Sequence, residues 1–241
     1  MAGSPTWMTT SRSDMATIYF DIETLPTYNA GVIAEIAASI KAPGNLKKAE
    51  TIETWERDEK PTAIAEAVKK TGLDGTFGRI CCIGYAADDA TVECAYGDDE
   101  ADILHRVFAW LLDAAKISDY TDRQSAVFVG HNILSFDLRF LWQRCVVNGI
   151  RPPAFIPFNA KPWDGKVFDT MTAWNPAREK SISLDKLCRA LDVQSPKGDL
   201  DGAKVAEYWQ AGRRNEVAAY CMADVEAVRQ CHRRMTFTVA A

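Results

Sequence analysis

Apolar and polar positions along the 241-residue chain predict strands in the first half and helices in the last third. The apolar run of residues 18–20 passes directly into Asp21, Ile22 and Glu23, as a buried strand does when it ends at a polar surface. Further strands are predicted at residues 77–87, 91–97 and 126–132, with a short one at residues 166–171.

Stretches with helical apolar spacing separate and follow these strands. They are residues 32–42, 61–70, 100–115 and 135–149, and then 181–193, 202–212 and 215–235. Strands first and helices last are typical of one α/β domain with a partly antiparallel sheet. We therefore expect a disordered leader over residues 1–16 and a single domain over residues 17–241. The segment 28–76 has no assigned role; covering an active-site cleft and contacting a partner are both open.

Composition is that of an ordinary globular protein, with 47% hydrophobic and 25% charged residues. The net charge of -5 argues against a protein that holds duplex mainly by neutralising phosphates, although it allows a nucleic-acid enzyme whose metal site is built of acids. Seven scattered cysteines without a CxxC pair are typical of free thiols in a reducing compartment. No stretch is apolar enough for a membrane span or a secretory signal, so we expect a cytoplasmic protein without a membrane partner.

Five residues at element ends are candidates for chemistry. Side chains alternate along a strand, so Asp21 and Glu23 lie on one face and form a hard-cation site if other acids converge there; a solvated strand end is the alternative. Asp137 opens a predicted helix, where a carboxylate also serves as a cap. Tyr220 and Asp224 are four apart on a predicted helix and share a face, as a core tyrosine beside a solvated aspartate also would.

Three motifs in a fixed order give these residues a common meaning. FDIET (residues 20–24), GHNILSFDLRFL (130–141) and YCMADV (220–225) together resemble the DEDD, or DnaQ-like, 3′→5′ exonucleases. Residues 183–209 are similar to stand-alone exonucleases related to the exonuclease domain of family B DNA polymerases. Tyr220 matches the tyrosine branch, because the position that the histidine branch uses is Ala219. The resemblance implies an RNase H-like α/β fold, with a mixed five-stranded central sheet flanked by helices.

The resemblance also implies a two-metal-ion hydrolysis of phosphodiester bonds. Asp21 would bridge two divalent cations, Glu23 and Asp224 would complete the first, and Asp137 would hold the second through water. Tyr220 would orient the attacking water. Hard oxygen ligands favour Mg²⁺ or Mn²⁺, and the lack of a histidine or cysteine cluster disfavours zinc.

Substrate contacts implied by the resemblance are Thr24, Leu25, Asn132 and Phe136. For Leu25 a wedge against the last base and a core position are equally open, and Phe136 is either core or a stacking platform. His131 is expected to satisfy a turn, and Lys197 is either a phosphate contact or a solvated lysine. We expect the substrate to be a single-stranded or frayed 3′ end of DNA, with release of nucleoside monophosphates.

Two alternatives remain open from the sequence: an exoribonuclease that trims RNA 3′ ends, and a catalytically silent nuclease fold that serves as a docking module. No polymerase domain is predicted in the chain. The protein would therefore act alone in DNA repair or proofread in trans for a polymerase partner. The DNA or RNA preference, the oligomeric state and the processivity have no signal in the sequence.

Overall fold

The computed structural model describes residues 15–117, 120, 126–161, 163–176, 181–196 and 198–238. Residues 1–14 of the expected leader and Lys197 lie outside these ranges. The described chain forms five strands: β1 Thr17–Leu25, β2 Arg79–Ala87, β3 Glu93–Tyr96, β4 Val127–Gly130 and β5 Val167–Asp169. The α-helices are α1 Ala30–Ser39, α2 Ala49–Asp58, α3 Lys60–Lys70, α4 Glu100–Ala114, α5 Asp137–Asn148, α6 Thr170–Trp174, α7 Leu184–Ala190, α8 Val205–Gln210 and α9 Arg214–Met235. Two 3₁₀ turns, Thr71–Leu73 and Gly202–Lys204, follow α3 and precede α8.

The five strands form one mixed sheet in the order β3-β2-β1-β4-β5. β1 pairs antiparallel with β2, and β2 pairs antiparallel with β3. β4 runs parallel to β1, and β5 runs parallel to β4. The predicted α/β fold with a mixed, partly antiparallel five-stranded sheet flanked by helices is confirmed, and β1 with its carboxylates lies at the centre of the sheet.

The alternation of β1 gives the sheet two differently packed faces. Phe20 and Ile22 enter the large apolar core that α4 and α5 cover. Tyr19 points the other way and packs with Val225 of α9. Because side chains alternate along a strand, Asp21 lies on the same face as Tyr19 and is directed toward α9.

A glycine lets α9 lie close to this face. Gly84 of β2 is the register partner of Asp21. A Cβ at Gly84 would lie 2.9 Å from Val225 Cγ2 and 3.0 Å from Cys221 Sγ, both on α9. Only a residue without a side chain leaves room for the helix at this distance, so Gly84 fixes how near α9 comes to the carboxylates of β1.

Most element ends agree with the sequence predictions, but α2 has no counterpart among the predicted helices, and the short strand at residues 166–171 ends earlier than predicted. The helix predicted at residues 135–149 is α5, and Gly149 ends it in the left-handed conformation with φ 65°. The short strand predicted at residues 166–171 stops at Asp169, because the Asp169 side chain accepts hydrogen bonds from Met171 N and Thr172 N and so begins α6. None of the helices in the described ranges has the length and hydropathy that crossing a bilayer requires.

Candidate active site

Three carboxylates converge where β1 meets α9. Asp21, Glu23 and Asp224 each offer a carboxylate oxygen, and these oxygens lie within 4.8 Å of one another. Glu23 and Asp224 are 8% and 7% exposed, and Asp21 is half-buried. The oxygen atoms and their spacing suit a hard divalent cation such as Mg²⁺ or Mn²⁺. The two halves of the cluster are about two hundred residues apart in sequence, so only the fold brings them together.

The electrostatics of this cluster are those of a site that lacks its counter-charge. Burial, and then the charges of Asp224 and Asp137, raise the pKa of Asp21 and of Glu23 well above their usual values. Burial raises the pKa of Asp224 to about 7. Carboxylates that are removed from water and placed beside each other resist ionisation, and a bound cation relieves both effects.

Asp137, on α5, is a fourth acid whose charge acts on Asp21 and Glu23. It is the first residue of α5 and is only 3% exposed. Its Oδ1 accepts a hydrogen bond from the backbone N–H of Ile22, the residue between Asp21 and Glu23, at 3.1 Å. Burial raises the pKa of Asp137 to about 7. The carboxylate thus does more than cap α5: it joins α5 to β1 within the electrostatic reach of the three clustered acids.

Tyr220 completes the arrangement from α9, one helical turn before Asp224. A hydrogen bond from Tyr220 lowers the pKa of Asp224, against the larger effect of burial. Burial, and then the nearby charges of Asp224, Glu23 and Asp21, raise the pKa of the Tyr220 phenol. Tyr220 therefore keeps its proton at neutral pH and acts as a hydrogen-bond donor at the edge of the cluster.

The residues expected to contact substrate have different surroundings. Thr24 is half-buried, and its Oγ1 donates to the carbonyl of Gly72 at 2.6 Å. Leu25 is 0% exposed and packs with residues of α8 and α9, which favours the core alternative for its side chain. Phe136 is half-buried and packs 5.6 Å from the Phe140 ring, which likewise favours packing.

His131 and Asn132 shape the turn between β4 and α5. His131 Nε2 donates to the Ile182 carbonyl at 2.9 Å, and its Nδ1 forms a hydrogen bond with the Thr170 hydroxyl at 2.9 Å. Both ring nitrogens are occupied, so His131 satisfies a turn, as expected. Asn132 has φ 64°, a left-handed conformation that asparagine tolerates better than most residues.

Asp169, the last residue of β5, is a buried carboxylate that binds this turn. It does not stand out in the sequence. Besides capping α6, it accepts from Asn132 N at 3.0 Å and from Leu134 N at 3.2 Å. It is 4% exposed, so it holds the turn that leads into Asp137 from within the protein. Its position at the end of a short strand, directly before a helix, is the one local signal that could have revealed it.

Free thiols lie directly behind the carboxylates. Cys221 Sγ donates to Asp21 Oδ2 at 3.5 Å, and Cys82 Sγ is 3.2 Å from Cys94 Sγ. All seven cysteines are free and six are buried, which confirms the prediction of free thiols instead of a disulfide framework.

The mixed sheet and its flanking helices form an RNase H-like α/β fold. Within this fold, the acidic cluster is a carboxylate centre that suits metal ions. Residues 95–235 match a family model described as a predicted 3′-5′ exonuclease related to the exonuclease domain of PolB. The chain belongs to this family of predicted 3′-5′ exonucleases, which implies a nucleic-acid substrate. The matched residues include Asp137, Tyr220 and Asp224, whereas Asp21 and Glu23 precede them.

Similarity to a solved structure supports the fold. The family B DNA polymerase from the hyperthermophilic archaeon Pyrobaculum calidifontis superposes with a TM-score of 0.57 and 16% sequence identity, over 92% of this chain and 24% of the polymerase chain. The chain therefore spans about a quarter of that polymerase. None of the curated proteins compared with the chain matches it.

Proposed function

We propose that this protein is a metal-dependent 3′→5′ exodeoxyribonuclease. It hydrolyses phosphodiester bonds at the unpaired 3′ end of DNA and releases nucleoside monophosphates. The observation that carries the proposal is the convergence of Asp21, Glu23 and Asp224, with carboxylate oxygens within 4.8 Å of one another, in a chain of a predicted exonuclease family. Unpaired carboxylates are unfavourable in a protein core, so the stability of the fold does not explain why three of them lie together here.

We propose that two divalent cations, Mg²⁺ or Mn²⁺, bind here. The carboxylates of Asp21, Glu23 and Asp224 fit one ion, and Asp137, from α5, would support a second. When bound, the ions supply a nucleophilic water and stabilise charge on the attacking and leaving oxygens. The raised pKa values of the four acids support this assignment. Burial is the largest cause of each rise, and neighbouring carboxylates add to it for Asp21, Glu23 and Asp137; bound cations would offset both effects.

Tyr220 is proposed to position the attacking water through its hydroxyl. Its raised pKa supports a donor or orienting role and argues against a role as a general base. With this role for Tyr220, we propose that the protein belongs to the tyrosine branch of the exonucleases. Thr24, which follows Glu23 in β1, and the turn at Asn132, which leads into Asp137, are proposed to position the terminal nucleotide through their backbone and polar groups.

We further infer that residues 17–241 act as one exonuclease domain in the cytoplasm, a location that the seven free thiols support. Repair and proofreading in trans for a separate polymerase both fit a domain of this kind. Terminal nucleotides must be unpaired to reach a buried cluster, which supports a single-stranded or frayed end as substrate.

The test is a gel assay with 5′-labelled single-stranded DNA and matched RNA in Mg²⁺, Mn²⁺ or EDTA, with Asp21→Ala as control. We expect a metal-dependent ladder of shortened DNA that is absent in EDTA and in the variant. A ladder with RNA alone would replace the deoxyribonuclease by an exoribonuclease. No ladder with either polymer would refute catalysis and favour the docking module.

A further inference from the structure

A helical arm, residues 28–70, follows β1 in the chain and has little core of its own. Its helices α1 and α3 bury no residue, and α2 buries only Trp55. The 3₁₀ turn that follows the arm is fixed to the domain, since Gly72 accepts the hydrogen bond from Thr24 and Arg139 of α5 donates to the Leu73 carbonyl at 3.2 Å. Burial of apolar side chains therefore gives little reason for these forty or so residues to fold against the domain.

The end of the arm forms one wall of a groove near the end of β1. The groove has a volume of about 360 Å³ and lies between the last turn of α3 and the start of α8. Thr24, which directly follows Glu23, lines it. Sites that take small organic groups have volumes of about 300 Å³ or more, so a nucleotide fits.

The lining of the groove combines apolar contact with positive charge. Leu73, Ala203 and Ala206 supply apolar surface, and Leu73 is 62% exposed. Lys69 and Lys70 line the arm side, together with one acid, Glu66. An apolar platform beside lysines suits a single-stranded nucleic acid, whose bases stack on the platform while its phosphates meet the charges.

We propose that this groove binds the nucleotide that precedes the 3′-terminal one. Its base lies against Leu73, and the strand's phosphates contact Lys69 and Lys70. The inference rests on the proposed function, since it gives the arm the task of holding the strand while the terminal bond is hydrolysed. It also explains why a protein with a net charge of -5 can bind a polyanion, because the positive charge is placed locally beside Thr24.

The test compares two substrates that differ in reach. A single-stranded tetranucleotide extends into the groove, whereas the p-nitrophenyl ester of thymidine 5′-monophosphate occupies only the terminal position. For Lys69→Ala/Lys70→Ala we expect the ratio of kcat/KM on the tetranucleotide to that on the ester to fall about tenfold, with the loss in KM. Lys47→Ala/Lys48→Ala, two exposed lysines of the same arm, is the matched control and should leave the ratio unchanged.

The salt dependence of KM and the variant Leu73→Ser distinguish a loss of phosphate contacts from a general loss of folding or activity. The slope of log KM against log salt should decrease by about 1.4 in Lys69→Ala/Lys70→Ala, because each phosphate contact on a single strand contributes about 0.7. Leu73→Ser should lower the ratio without changing that slope. Equal losses on both substrates, or an unchanged ratio with an active wild type, would overturn the groove assignment alone. A wild-type protein that hydrolyses neither substrate would instead refute the proposed function.

Discussion

Replacing Asp224 by asparagine should stabilise the metal-free protein, although it removes a proposed ligand. Asp224 is 7% exposed, and burial raises its pKa from 3.8 to about 7. The folded protein therefore keeps this proton to a higher pH than the unfolded chain does. The stability that the retained proton contributes is complete below about pH 4 and is lost as the pH rises toward 7, because the unfolded chain ionises first.

The size of the effect follows from this shift. A rise of about three units corresponds to about 4 kcal/mol at pH 8, at about 1.4 kcal/mol for each unit. This pKa already includes the hydrogen bond from Tyr220, which lowers it. The metal-free Asp224→Asn protein should therefore be more stable than wild type by about 4 kcal/mol at pH 8, or about 8–16 °C in Tm. The difference should shrink as the pH falls toward 5.

Urea unfolding followed by circular dichroism measures this in EDTA at pH 8 and pH 5, and again with Mn²⁺. Mn²⁺ should stabilise wild type and have a smaller effect on Asp224→Asn, because the variant lacks one carboxylate of the cluster. Asp113→Asn, which changes an exposed acid on α4, is the matched control and should change neither result. Equal stability of wild type and Asp224→Asn in EDTA at pH 8 would refute the electrostatic account of the site.

Three further substitutions test the site. Tyr220→Phe should lower kcat by about 100-fold or less and leave Mn²⁺ stabilisation intact, since the carboxylates remain; inactivity as complete as that of Asp21→Ala would show a larger role for the tyrosine. Gly84→Ala should destabilise the protein by about 1–3 kcal/mol and weaken its response to Mn²⁺, because the added methyl group displaces α9. The control Gly44→Ala should do neither, since no atom lies within 4 Å of an added Cβ at that position. Equal thermal shifts for the two variants would contradict this. Asp169→Asn should raise the Mn²⁺ concentration needed for half-maximal activity, because an amide cannot accept from all the N–H groups that the carboxylate holds; an unchanged metal titration would exclude a positioning role.

The sequence by itself determined features with a local physical cause. The period of two in β1 placed Asp21 and Glu23 on one face, and the helical period placed Tyr220 above Asp224. Gly149 marked the end of α5, because its left-handed conformation suits glycine. These rules act over a few residues, which is why they hold before any tertiary contact is known.

Only the tertiary structure decided how these local pieces meet. The approach of α9 to β1 depends on Gly84 in a third element, and Asp137 reaches β1 through a hydrogen bond to Ile22. Asp169 binds a turn thirty-seven residues earlier in the chain, and no short-range pattern records this contact. Leu25 is buried because α8 and α9 fold over it. Contacts between elements that are distant in the chain arise from packing of the whole domain, and the periodicity of one element cannot specify them.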